Sequence, residues 1–287
     1  MTRSDDITQQ ADATDDGYPI LSTTDRGTRM TQLLPGRPVG RFTAGLLASS
    51  LACTALWALV FGPPCAALVG FAPDTVGSPW ALAAALVLAY LALSPTMTLT
   101  GRVRESFGQA RVAGLLASAI VAGGFAVGAG GLLLASFAEA PEPPFDLRAI
   151  AESPTIPREL AALLGALAAL CAAAALGFLG PALRHARTRQ EEIDRLRRTG
   201  TRHSGALSAL EFRNAWLRND PLFNLQVTYA ADRVVRVHMR TTTDRVPVLG
   251  SAMVVFTDDT GSVHVDLDRS AGVTFEADTG RYQPSEG

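Results

Sequence analysis

Two short runs have residue types that could do chemistry. Asp259-Thr260-Gly261 and Asp278-Thr279-Gly280 both carry the Asp-Thr-Gly triplet that aspartic proteases use. That chemistry needs two carboxylates sharing one proton across a cleft between two lobes. These triplets lie only 19 residues apart by the numbering, and the second has no apolar strand after it. Asp-Thr-Gly is also ordinary turn chemistry, because glycine accepts positive φ at no steric cost. The triplets are therefore expected to be turns.

A second set alternates along two segments: Arg236, His238 and Arg240 on one, and His264, Asp266 and Asp268 on the other. Period-two spacing places each trio on one face of a strand. The trios could pair across a sheet or form a solvated face. Arg236, His238 and Arg240 are the candidate interaction surface. The four histidines, His185, His203, His238 and His264, lack metal-ligand spacing. Cys53, Cys65 and Cys171 form no CxxC or Cys/His cluster, and Cys53 and Cys171 read as buried structural thiols. No Walker A, GxSxG, HExxH or GxGxxG motif occurs. No catalytic residue, metal ligand or cofactor is expected, and the reading is non-enzymatic.

The elements that would position these residues follow from composition. Of 287 residues, 48% are hydrophobic and 18% charged, against roughly 25% charged in a soluble domain. The apolar excess sits in four blocks, at about 42–61, 80–100, 112–137 and 160–183, none with Asp, Glu, Arg or His in its interior. Each is close to the ~20 residues a helix needs to cross ~30 Å of hydrocarbon. Four transmembrane helices are expected within a membrane domain of residues 41–183. Gly124 and Gly128 form a GxxxG, read as helix packing within the bundle or as a homodimer face. Trp57 and Trp80 fall near the expected outer ends of helices 1 and 2.

Arginine placement sets the orientation. Arg26, Arg29, Arg37 and Arg41 precede the first block. Arg102, Arg104 and Arg111 lie between the second and third. Arg184, Arg187, Arg189, Arg195, Arg197, Arg198 and Arg202 follow the fourth. The opposite loops hold only Arg148 and Arg158. Fourteen against two predicts both termini in the cytoplasm of a cell bounded by its plasma membrane. All 25 basic residues are arginine and the net charge is −2, so no basic surplus exists for nucleic acid.

Residues 1–40 hold scattered aspartates and no apolar run, and are expected to be a disordered cytoplasmic tail rather than a cleaved leader. Residues 184–199 keep helical composition, with Glu191–Arg195 and Asp194–Arg198 in the favourable i,i+4 order. This Arg-rich helix is read as a stalk, the alternative being that it lies on anionic lipid. Gly200 is its expected stop. Residues 204–270 switch to alternation, as in Phe223, Leu225 and Val227 or Val263, Val265 and Leu267. Five short strands are expected in a small antiparallel barrel or sandwich, with residues 271–287 a flexible tail. The fold class is thus an α+β integral membrane protein.

Phe212-Arg213-Asn214-Ala215-Trp216, Phe223 to Tyr229 and Asp244 to Gly250 resemble a group of actinobacterial multipass membrane proteins. In that group several spans and an Arg-rich helix lead into a small C-terminal β-domain of unknown function. Four spans followed by a five-stranded β-domain are also similar to NfeD-type partners of stomatin-like proteins, which implies an OB-type barrel. The expected function is to anchor a cytoplasmic β-domain that meets a protein partner, a second copy or the lipid surface. The alternative is an accessory subunit of a transporter or channel.

Overall fold

A computed structural model describes residues 18–68, 79–137, 158–278 and 280–283. The chain divides into two units. One is Pro38–Thr188; the other joins Met1–Arg37 to Arg189–Gly287.

The first unit holds α1 (Ala44–Leu68), α2 (Pro79–Phe107), α3 (Ala110–Phe137) and α4 (Arg158–Thr199) as far as Thr188. All four helices are long and apolar enough to cross a bilayer. Their few hydroxyls bond back to their own helices: Ser50 Oγ donates to the Leu46 carbonyl at 2.8 Å, and Thr54 Oγ1 to Ser50 at 2.9 Å. Such bonds let a polar residue sit in an apolar helix without a lone donor. Leu99, Val103 and Phe107 of α2 are buried with Val112, Leu116 and Ile120 of α3. Gly108, at φ +60°, takes the left-handed position that ends α2.

Several expectations change here. Helix α1 runs through Gly62-Pro63-Pro64 to Leu68, where a stop at Phe61 is expected from sequence; proline is better tolerated in apolar helices of this class than in water. Trp57 is therefore internal to α1. Its indole N–H donates to Thr96 Oγ1 of α2 at 3.1 Å, and its ring stacks on Phe61 at 5.4 Å. The side chains of Trp80 and Cys65 lie outside the described residues. Cys53 is buried, but Cys171 is exposed. The buried stripe of α4 is Ala172, Ala175, Leu179, Ala182 and Ala186, and Cys171 falls off that stripe.

The second unit is a six-stranded antiparallel sheet, one strand more than expected. Its strands are β1 (Ile20–Ser22), β2 (Thr201–Leu217), β3 (Asp220–Tyr229), β4 (Arg233–Arg240), β5 (Ala252–Thr257) and β6 (Val263–Leu267). The order is β1-β4-β3-β2-β5-β6. The sheet curls until its edges nearly meet, and Thr23 Oγ1, just past β1, donates to the Val263 carbonyl of β6 at 2.9 Å. The core is the inward face of the alternating strands: Leu207, Phe223, Leu225, Val227, Val237, Met239, Val255 and Val265.

Strand β2 begins one residue after α4. A Cβ on Gly200 would stand 2.5 Å from the Leu196 carbonyl oxygen and 3.1 Å from that of Thr257, so only glycine fits this helix-to-strand corner. Alternation fails along β2 because it is bulged between Leu207 and Ala209 and again between Phe212 and Trp216, and each extra residue flips the facing of those after it. Thr201–Ala206 pairs with β5 and Gly205–Leu217 with β3, so Gly205 and Ala206 are paired on both sides.

Both expected tails are shorter than the sequence implies. Residues 18–37 are part of the sheet unit, and only 1–17 of that tail lie outside the described residues. At the other end Phe275 bridges to Pro247, and Trp216 Nε1 donates to the Tyr282 carbonyl at 2.8 Å. The Tyr282 ring packs on Phe212 at 5.3 Å and Phe223 at 5.0 Å. Single aromatics anchor this segment without any alternation to reveal it.

Candidate functional site

The strap, residues 18–37, is the feature around which the second unit's polar groups gather. It enters as β1, with Ile20, Leu21 and Ser22 opposite Arg240, Met239 and His238 of β4. Three residues of pairing make a weak strand. Met30 and Leu33 add apolar burial at 1% and 6% exposure. Polar contacts complete the attachment. Asp25 pairs with Arg189 at 3.4 Å, Arg26 Nε donates to His238 Nε2 at 2.8 Å, and Arg197 Nη1 donates to the Leu33 carbonyl at 2.6 Å.

Beneath the strap lies a cleft of about 450 Å³, within the ~300–1,000 Å³ range of small-molecule sites. Ile20, Leu33, Ile193 and Phe256 give it apolar walls; Arg202, Asp268 and Arg269 add charge. At its side Arg197 reaches Asp266 through both arms of its fork, Nε to Oδ2 and Nη2 to Oδ1, each at 2.8 Å. His264 Nε2 meets Asp266 Oδ1 at 3.1 Å. Burial works to raise the Asp266 pKa, but the hydrogen bond and charge of His264, then those of Arg197, outweigh it and hold the carboxyl well below the usual range. An ionised carboxylate with its oxygens so occupied is a lock between α4, β6 and the strap. The described hydrogen bonds of His264 include no Ser, Thr or Cys, so the His264–Asp266 pair addresses no nucleophile among the described residues.

The sequence-predicted residues separate. Arg236 is exposed. His238 is half-buried, its Nδ1 donating to Asn224 Oδ1 at 3.0 Å while Nε2 accepts from Arg26. Arg240 is buried at 2% exposure, 3.5 Å from Asp220, and so is not part of an exposed surface. The trios on β4 and β6 do not pair, because β1 lies between those strands at the near-closure of the sheet.

Gly124 and Gly128 lie against α1. A Cβ on Gly124 would collide with Trp57 Cβ and stand 3.0 Å from the Thr54 carbonyl; on Gly128 it would stand 2.8 Å from the Ala58 carbonyl. The first Asp-Thr-Gly triplet is a turn whose organiser is the residue before it. Asp258 Oδ1 accepts from the Thr260 and Ser262 amides at 3.0 and 2.9 Å, and Gly261 sits at φ +82°. Asp278 Oδ1 accepts from the Gly280 amide at 3.1 Å. Arg195, expected to pair with Glu191, reaches Asp258 at 2.9 Å. Ile193 and Leu196 are buried at 4% and 1% exposure inside the sheet unit, so this end of α4 is neither a bare stalk nor an interfacial helix offering those residues to lipid.

Sequence reasoning missed the strap, Arg197 and Asp258. The strap's apolar signal is only Tyr18, Ile20, Leu21, Met30, Leu33 and Leu34 among polar residues, glycines and prolines. No group of three or more His, Cys, Asp or Glu able to hold a metal occurs among the described residues. Comparison of the chain with protein-family models, curated proteins and solved structures gives no match.

Proposed function

We propose that this is a multipass membrane protein whose non-catalytic β unit lies in the cytoplasm and docks a protein partner or the inner lipid surface. One observation carries the membrane part. Among the described residues, the exposed large apolar side chains lie on the four helices, apart from Phe42, Val234 and Leu249. Leu51, Leu86, Tyr90, Leu163 and Leu170 all exceed 60% exposure. A water-soluble protein does not leave so continuous an apolar surface bare.

The same-side placement of both flanks agrees with the second unit's make-up, since residues before α1 and after α4 build one sheet. Four crossings return the chain to the face it left. The arginine bias makes that face cytoplasmic. Arg236, together with exposed Arg213, gives the β2–β4 face basic groups suited to an acidic partner. Membrane-impermeant maleimide should label Thr75→Cys in intact cells, and Thr24→Cys and Ser204→Cys only after permeabilisation. Labelling of Ser204→Cys in intact cells would overturn the orientation. A photo-crosslinking residue at Arg236 in native membranes should give a discrete protein or lipid adduct; adducts no stronger than those from a crosslinker at Leu249 would overturn the docking face.

A further inference from the structure

We propose that the strap is a pH-sensitive latch: protonation of His238 releases Arg26 and lets residues 18–26 leave the edge of β4. The inference uses the sheet unit alone and does not depend on the docking partner proposed above.

Both ring nitrogens of His238 are committed. Nδ1 donates to Asn224 Oδ1 at 3.0 Å, and Nε2 accepts from Arg26 Nε at 2.8 Å. Only the neutral ring with its proton on Nδ1 can make both bonds. A second proton on Nε2 removes the acceptor and turns an N–H toward the N–H of Arg26, with two like charges in contact. The charged and polar groups around the ring come from three elements. The strap supplies Arg26, with Ser22 at the register position. Strand β3 supplies Asn224. Strand β2 supplies Arg213, and Glu211, whose carboxylate accepts from Asn224 Nδ2 at 3.3 Å. No carboxylate contacts the ring itself among the described residues, so nothing there compensates a second proton. Desolvation of the ring, then Arg26 and Arg213, holds the His238 pKa below its ordinary value. Detaching the strap removes the Arg26 charge and part of the desolvation and so raises that pKa, and acid therefore favours detachment as pH falls.

Pairing to β4 covers three residues; beyond them the segment is held by the Thr23 bond to the Val263 carbonyl, the Asp25–Arg189 pair and the Arg26 bond to His238. The deeper anchors, Met30, Leu33 and the Arg197 bond to the Leu33 carbonyl, lie farther along and contain no group that titrates near neutrality. Acid therefore frees the N-terminal half of the strap and leaves its C-terminal half in place.

The test uses the full chain in lipid vesicles, with Cys53, Cys65 and Cys171 replaced by alanine and spin labels at Thr24→Cys and Val234→Cys, both exposed positions. Pulsed dipolar distances at pH 7.5 should show one population. At pH 5.5 a second, longer population should appear, several-fold above its level at pH 7.5. His238→Gln, which cannot gain a charge, should show one population at both values. Arg26→Gln, which leaves the histidine and removes the opposing charge, should blunt the response. Identical distributions at the two pH values in the parent, or an undiminished response in both His238→Gln and Arg26→Gln, would overturn the latch.

Discussion

Replacing Arg197 by methionine tests whether the Asp266 cluster holds the strap, α4 and β6 together. Methionine keeps the length and the apolar stem of arginine and removes three charge-assisted hydrogen bonds, two to Asp266 and one to the Leu33 carbonyl. What remains is a carboxylate with His264 as its other partner in the cluster and a strap carbonyl without its donor. Removing one member of a fully buried pair costs about 3–5 kcal/mol. Here the Arg197 and Asp266 side chains keep 15% and 26% exposure, so water relieves part of the loss and about 2–3 kcal/mol is expected. Urea unfolding in detergent, read by Trp216 after Trp57→Phe and Trp80→Phe, isolates the sheet unit, since Trp216 is bonded to Tyr282 within it. The double variant Arg197→Met, Asp266→Leu should recover at least half of the loss, because the stranded charge is gone. The pH profile gives a second reading. The native Asp266 pKa lies below its unfolded value, so its stabilisation is present above about pH 4 and fades as pH falls below that. Arg197→Met should flatten that acid limb. A loss under about 0.5 kcal/mol, or no recovery in the double variant, would refute the lock.

Gly124→Val should force α1 and α3 apart at Trp57 and the Thr54 carbonyl, costing at least about 2 kcal/mol and lowering the thermal midpoint in detergent. Gly200→Ala should destabilise the sheet unit by a comparable amount, because its Cβ has no room beside the Leu196 carbonyl; urea midpoints check it. Asp258→Asn should lower the thermal midpoint more than Asp259→Asn or Asp278→Asn, since Asp258 holds the turn amides and Arg195. Gly261→Ala should cost about 1 kcal/mol for its positive φ; differential scanning calorimetry of the set ranks all four.

What was legible in the sequence was whatever repeats with a period. The four apolar blocks and the alternating segments at Phe223–Tyr229, Val235–Met239 and Val263–Leu267 became helices and strands near the expected positions. Helix ends were less legible, because α1 continues through two prolines and α2 carries Arg102, Arg104 and Glu105 in a last polar turn. Elements held by long-range contacts were not legible at all. β1 has three residues, too few to display alternation, and exists because β4 offers it an edge. Tyr282 is buried because Phe212 and Phe223 leave an aromatic socket. At the site, residue type marked His238 and Asp266 as polar-face positions, but their partners Arg26 and Arg197 stand more than sixty residues away in the chain, where no local pattern points.

That separation also bears on how the protein assembles. Thr23 bonds to a carbonyl 240 residues away, and between them lie all four apolar helices. Closing the sheet therefore comes after every helix has been made, since long-range pairing must first meet the entropy of bringing distant segments together. An odd number of crossings would leave the strap and β4 on opposite faces of the bilayer, and the sheet would stay five-stranded with the β4 edge and the Met30 and Leu33 positions uncovered. In the proposed topology, strap attachment couples the stability of the sheet unit to correct insertion of the four helices. A chain lacking one helix but otherwise intact should expose β4 and become sensitive to protease in the sheet unit, even though all of β2 to β6 is present. If such a chain resisted protease as the parent does, the sheet would be stable without its strap and the coupling would not exist.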